Sequence, residues 1–477
     1  MLSRERTGFA RAGAPAEGSA RWVLADRVGR VLSGAAVEAA AAPPGERVVR
    51  VEVAIGPVRP LRWLREQLQY PRLYWSGRGG AFGVAAVGAA DSQEGETGED
   101  ALALRKRLAA LLTSGDPIAR YYGGLRFDPA REPDAWWAAF GAYRFVLPRF
   151  ELIAGDAAAT LVCNLVLPRD GERRGEILEE IEHLTFPDDA SDGALEAPVA
   201  RADSPDFPEW KSNVEGALSA FADGRLGKVV LARRAELGFP AEVDATLLAE
   251  RLEEATPDCF HYYVEPEKGT AFLGASPERL FRREGRIVES EAVAGTRPRG
   301  VSEVDDADLR DELLGSAKDL SEHAYVRTSI EETLGPLCDE LDVDEDISEM
   351  KLASRRHLVS RVRGTLREDV TDADVLRALH PTPAVGGYPK REALEEVRDR
   401  EPFDRGWYAG PVGWIGAEGS EFAVGIRSGL VRGRTLALYS GAGIVAGSVP
   451  EGEWAEIEQK IGDFTRIFGL EPGYGAR

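Results

Sequence analysis

The chain is 477 residues long, carries 81 Asp and Glu against 59 Lys and Arg, and has a formal net charge of −22 with 43% hydrophobic residues. An acidic envelope of that strength repels nucleic-acid phosphates and anionic membrane surfaces, so neither is expected as a partner. A small anionic substrate would need a local cluster of Arg, Lys or metal.

No run approaches the ~20 apolar residues that span a bilayer, and the N-terminal stretch has charges but no apolar secretory core. These features lead to the expectation of a soluble cytoplasmic protein. Only eight of the 59 basic residues are Lys. That usage fits a salt-adapted surface, or alternatively a coding bias that writes Arg and Ala. Cys163, Cys259 and Cys338 stand far apart with no CxxC spacing, which argues for buried small hydrophobes rather than a disulfide framework or a zinc site.

In chain order, residues 1–45 read as a weakly structured lead-in rich in Ala, Gly, Arg and Pro, followed by an N-terminal part of the fold over 46–200 and a catalytic region over 201–477. Strand-period alternation begins at Val49 and ends at Ile55. Two β segments around a turn are predicted between Tyr70 and Gly88. An acidic loop over 91–100 then leads into a helix with Leu102, Leu104, Leu108 and Leu111. Paired strands are predicted from Tyr122 to Leu167, then a short helix at 175–184. The Asp- and Pro-rich stretch 187–208 reads as a surface loop within one unit.

Beyond it come a helix at 210–226, a strand from Lys228, and a helix over 246–255. Strands near 262–264 and 271–274 lead into a hairpin around Glu284-Gly285. The spacing of Leu309, Leu313, Ala317, Leu320, Ala324 and Ile330 predicts one long helix over 305–334. A last helix at 451–468 puts Trp454, Ile457, Ile461, Phe464 and Phe468 on one stripe.

The chemistry gathers around that hairpin. Before it, Ala275-Ser276-Pro277 delivers Glu278 just after a residue of fixed φ. After it, Ala294-Gly295-Thr296-Arg297-Pro298-Arg299-Gly300 is a glycine-rich basic loop suited to an anion. Asp319 with Glu322, and Glu453 with Glu456, recur three apart on two helices. Facing each other, the helices would bring up to four carboxylates to a hard cation such as Mg²⁺; standing apart, they would carry surface ion pairs with Lys318 and Lys460. Lys228 starts an apolar strand, either as a solvated strand end or as a partly desolvated base. Glu278 is a candidate acid, or the partner of Arg279 or Arg282.

The segments ASPE and AGTRPRG, with Gly227-Lys228-Val229-Val230-Leu231-Ala232-Arg233, His380-Pro381-Thr382-Pro383-Ala384-Val385-Gly386-Gly387 and Gly441-Ala442-Gly443, resemble the chorismate-utilising enzymes. The resemblance covers roughly residues 205–470 in the family's order. It implies an α+β fold in one large unit, with two stacked, mainly antiparallel β-sheets and outer helices.

It further implies chorismate as substrate, Mg²⁺ held by Glu322 and Glu456 with Asp319 and Glu453 as outer-shell groups, Lys228 as base and Glu278 as acid. Substrate contacts fall on Gly295, Thr296, His380, Tyr408, Arg427, Gly441, Ala442 and Gly443. Lys228 occupies the position that is lysine in members activating water and typically glutamine in those using ammonia. Ala294 replaces the lysine common in aminodeoxychorismate synthases. Isochorismate synthase chemistry follows, with menaquinone as the favoured destination. Salicylate synthase, anthranilate synthase component I and a catalytically silent binding subunit are the alternatives.

Overall fold

The computed structural model describes residues 17–41, 45–80, 82–96, 108, 111–112, 116–155, 158–187, 193–352, 355–471 and 473–475. Among them, twenty strands join into one continuous network, and every ladder is antiparallel. The strand Tyr143–Ile153 is the branch point, because it pairs with Gly83–Gly95, with Arg120–Leu125 and with Ala159–Leu167.

One arm passes through Arg72–Ser76, Phe260–Glu267, Thr270–Ser276, Ser428–Arg432 and Thr435–Ile444 to Lys228–Gly238. The other passes through Pro411–Gly416, Gly419–Val424, Arg279–Glu284 and Ile287–Pro298 to Arg355–Leu366. N-terminal and C-terminal halves therefore share both arms. Wholly buried Trp63, Trp137, Trp210 and Trp407 belong to one continuous apolar core. No helix among the described residues is long and apolar enough to cross a membrane.

Several expectations need correction. The lead-in contains the helix Glu17–Ala41, whose Ala20, Leu24, Val28 and Leu32 are fully buried; their i, i+4 spacing makes one apolar stripe that a reading by composition overlooks. Residues 1–16 lie outside the described residues, as do Leu102 and Leu104. Asp91, expected in a loop, is a buried residue of the strand Gly83–Gly95.

The single helix over 305–334 is two, Glu303–Gly315 and Ala317–Leu334. Ser316 divides them, its side chain capping the second by accepting from the Asp319 N–H. The AGTR segment is not a loop but the end of the strand Ile287–Pro298, with a register shift between Ala294 and Thr296 that leaves Gly295 at φ +70°.

Candidate active site

Four elements enclose a cavity of about 260 Å³ between the two arms. The helices Ala317–Leu334 and Pro450–Thr465 both present carboxylates from their first two turns. They face one another, because Lys318 Nζ lies 3.0 Å from Glu453 Oε1 across the gap. Opposite stand the ends of the strands Ile287–Pro298 and Thr435–Ile444, where period-two alternation turns Gly441 and Gly443 to the cavity and Ala442 to the core. The predicted residues Glu278, Gly295, Thr296, Asp319, Glu322, Tyr408, Arg427, Gly441, Gly443 and Glu456 all line it.

Lys228 is fully buried just behind this wall, with its amine 2.7 Å from Glu322 Oε1. The amine lies off the axis of a directed hydrogen bond, so the contact is an ion pair rather than a saturated donor. The HPTPAVGG segment fixes the strand it stands on. Gly387 and Tyr388 pair with Val229 and Lys228, and the Gly227 N–H donates to the Tyr388 carbonyl.

Glu278 is 5% exposed, and burial pushes its carboxyl up to about 8, with Lys228 opposing and Glu291 reinforcing the shift. A carboxylic acid thus lines this small cavity, and an amine from a different element stands just behind its wall.

The other charged groups are arranged in pairs. Lys460 Nζ lies 2.8 Å from Glu456 Oε1 and donates to the Gly441 carbonyl, and this lysine is the main reason the Glu456 carboxyl is held low. Arg427 Nη1 donates to Asp463 Oδ2 at 2.8 Å, and its backbone sits at φ +48°, a region that non-glycine residues rarely occupy and that clusters at functional sites. Arg297 Nη2 donates to Asp319 Oδ2 at 3.0 Å.

Asp319 and Glu453, expected as outer-shell groups, are held by Arg297 and Lys318, and no group of three or more His, Cys, Asp or Glu gathers among the described residues. Glu453 does not line the cavity. Glu322 and Glu456 do, each engaging a lysine through Oε1. Two hard carboxylates at a polar cavity suit Mg²⁺, which takes one or two protein carboxylates and keeps several waters.

The Ala442 side chain is fully buried on the far side of its strand, so a substrate contact at this position falls to its backbone N–H. One expectation fails. His380 lies in a different cavity, its Nε2 2.9 Å from the Phe127 carbonyl oxygen.

Three residues escaped the sequence reading. His357 lines the cavity, with Nδ1 3.1 Å from the Gly295 carbonyl oxygen and 3.0 Å from Thr296 Oγ1, and burial pushes its imidazole down to about 3. Lys318 and Lys460 were read only as helix-surface partners. Their signal was present in composition: in a chain with eight lysines, Lys228, Lys318 and Lys460 converge on one site.

A family profile described as chorismate binding enzyme matches residues 35–469. The chain belongs to the chorismate-binding enzyme family. It is 38% identical over 376 residues to isochorismate synthase 2, chloroplastic, of Arabidopsis thaliana, spanning 76% of this chain and 66% of that protein. It is 35% identical over 355 residues to isochorismate synthase MenF of Bacillus subtilis, spanning 73% and 74%. The solved structure of MenF, the menaquinone-specific isochorismate synthase from Escherichia coli, superposes with a TM-score of 0.79 at 28% identity, covering 94% of this chain and 99% of that one. The α+β architecture of the chorismate-binding enzymes is therefore the fold of this chain.

Proposed function

We propose that this enzyme is an isochorismate synthase, a hydroxymutase that converts chorismate to isochorismate with Mg²⁺. The observation that carries the reading is the opposition of Glu278, a cavity-lining carboxyl held protonated near neutral pH, and Lys228, a buried amine just behind the cavity wall on Glu322. A protonated carboxyl and an amine held on different elements around one cavity give a hydroxyl exchange its proton donor and its proton acceptor.

In this reading Lys228, released from its ion pair with Glu322, acts as the neutral amine: a water attacks C2 of chorismate and gives its proton to that amine. The C1–C2 π pair moves to C1–C6, the C5–C6 pair moves to C4–C5, and the C4 hydroxyl leaves as water with the proton of Glu278. Arg427 and Lys460 supply the fixed cations for the substrate's two carboxylates, with Tyr408 beside them. Glu322 and Glu456 are the groups that would hold Mg²⁺, which when bound neutralises negative charge on the substrate. Because Lys228 contacts Glu322, binding of the metal and freeing of the base are expected to be coupled.

The likeness to a menaquinone-specific relative supports menaquinone synthesis as the destination. Turnover in H₂¹⁸O tests the reading: isochorismate carrying one ¹⁸O at C2 is expected. Unlabelled product, or recovery of chorismate alone, would reject it.

A further inference from the structure

A second cavity, of about 670 Å³, lies on the far side of the active-site wall. Its body is apolar, built from Leu125, Phe127, Tyr143, Leu376, Leu394 and Ile415. Among the described residues its charges are unbalanced in the direction opposite to the chain: Arg126, Arg283, Arg377, Arg398 and Lys390 line it, against Asp128 and Asp372, in a protein of net charge −22.

Four of these cations already have carboxylates. Arg126 pairs with Asp404, Arg283 with Asp372, Arg398 with Asp128 and Arg377 with Asp374. Lys390 does not. Among the described contacts its amine donates only to the backbone carbonyls of Arg377 and His380. Burial alone lowers its pKa. It is also one of the eight lysines in an arginine-rich chain, three others of which stand at the active site.

A half-buried cation facing an apolar space without a counter-charge is the complement of a carboxylate carried on an apolar body.

We propose that this cavity is a second ligand site, which takes a small carboxylate with an apolar ring or chain, its anionic end on Lys390. The geometry also gives it a route to the active site. The guanidinium of Arg405 lies 4.2 Å from the centre of the Phe127 ring, which lines the second cavity. The same guanidinium donates to the carbonyls of Val385 at 2.8 Å and Val230 at 2.7 Å, and both valines line the active-site cavity. Glu401 fixes it in place, accepting from Arg405 Nε at 2.8 Å and from the Ala232 N–H at 2.7 Å. One buried side chain therefore touches the walls of both cavities, and a ligand that moves Phe127 is felt at Val230 and Val385.

The test is calorimetric titration of the full chain with 2-naphthoate and with its uncharged counterpart 2-naphthamide, which needs no turnover and so stands apart from the proposed activity. Wild type and Arg427→Ala are expected to bind the naphthoate equally. Lys390→Met is expected to weaken it at least tenfold, Lys390→Arg to restore part of the loss, and Ala373→Phe, which fills the cavity from its edge, to abolish it. The amide is expected to bind wild type at least tenfold more weakly.

Equal affinity in wild type, Lys390→Met and Ala373→Phe would overturn the site, as would loss confined to Arg427→Ala, which would put the probe in the active-site cavity. Chorismate titrated with and without saturating naphthoate reads the link through Arg405. A shift of threefold or more in its affinity is expected, and no shift would overturn the link.

Discussion

The Lys228 amine and Glu322 Oε1 sit 2.7 Å apart beside Gly443, where a Cβ would collide with that same carboxylate oxygen. Gly443 is thus the space that the Lys228–Glu322 pair occupies. Gly443→Ala is expected to displace Glu322 and lower kcat/KM by roughly 10²-fold, the scale of a catalytic group misplaced by about an ångström. Ala442→Gly, one residue along but on the opposite face, is expected to cost about 1 kcal/mol of stability and little activity. Steady-state kinetics and thermal melts on the two variants separate these effects.

Glu278 sets a pH limit. Its carboxyl titrates at about 8 in the folded chain, so the acid form needed for the leaving hydroxyl is present at pH 7 and disappears as pH rises through 8. Activity is expected to fall on that alkaline limb, and Glu278→Gln is expected to lose it by roughly 10²–10⁴-fold.

Stability follows the same group. The folded state holds this proton more tightly than the unfolded chain, whose carboxyl titrates near the ordinary ~4.3. Its contribution is therefore fully present below that value and is lost as pH rises towards 8. Glu278→Gln should match wild type in acid and exceed it at pH 8–9, by an amount on the order of a few kcal/mol. Denaturant titrations at pH 5 and pH 9 measure the difference.

Arg427 holds a left-handed backbone at φ +48° and a guanidinium on Asp463. Arg427→Gly keeps the backbone geometry without its strain while removing the cation. The expected result is a KM raised by roughly 10–100-fold, the worth of about 1.5–3 kcal/mol for a charged hydrogen bond, with a melting temperature not much changed. A variant that lowers kcat alone would move Arg427 from binding the substrate to the chemical step.

Removal of divalent metal by a chelator is expected to abolish turnover reversibly, with excess Mg²⁺ restoring it. Glu322→Ala and Glu456→Ala are each expected to raise the Mg²⁺ concentration for half-maximal activity at least tenfold. Glu453→Ala is expected to act more weakly, since Glu453 reaches the cavity only through Lys318.

Much of this site was legible because its chemistry is local to short segments. Glu278 follows a proline at a strand junction, Lys228 opens a strand, and Glu322 and Glu456 stand a turn apart from Asp319 and Glu453 along the chain. Side-chain direction was less legible. Ala442 shares a glycine-rich triplet with two lining residues, yet strand alternation sends it to the core. His380 heads a motif whose far end, Gly387-Tyr388, does the positioning of Lys228.

Long-range pairing was not legible at all. Nothing near Lys460 announces that its amine reaches the Gly441 carbonyl on a strand of the facing wall. The N-terminal helix was missed because alanine-rich composition hid a regular stripe at Ala20, Leu24, Val28 and Leu32.

Product analysis tests the central claim most directly: the purified protein, chorismate and Mg²⁺, with and without ammonia, beside Lys228→Gln. Isochorismate without pyruvate, independent of ammonia and lost in Lys228→Gln, is the expected result. Salicylate with pyruvate, or turnover that appears only with ammonia, would contradict the roles given to Lys228 and Glu278.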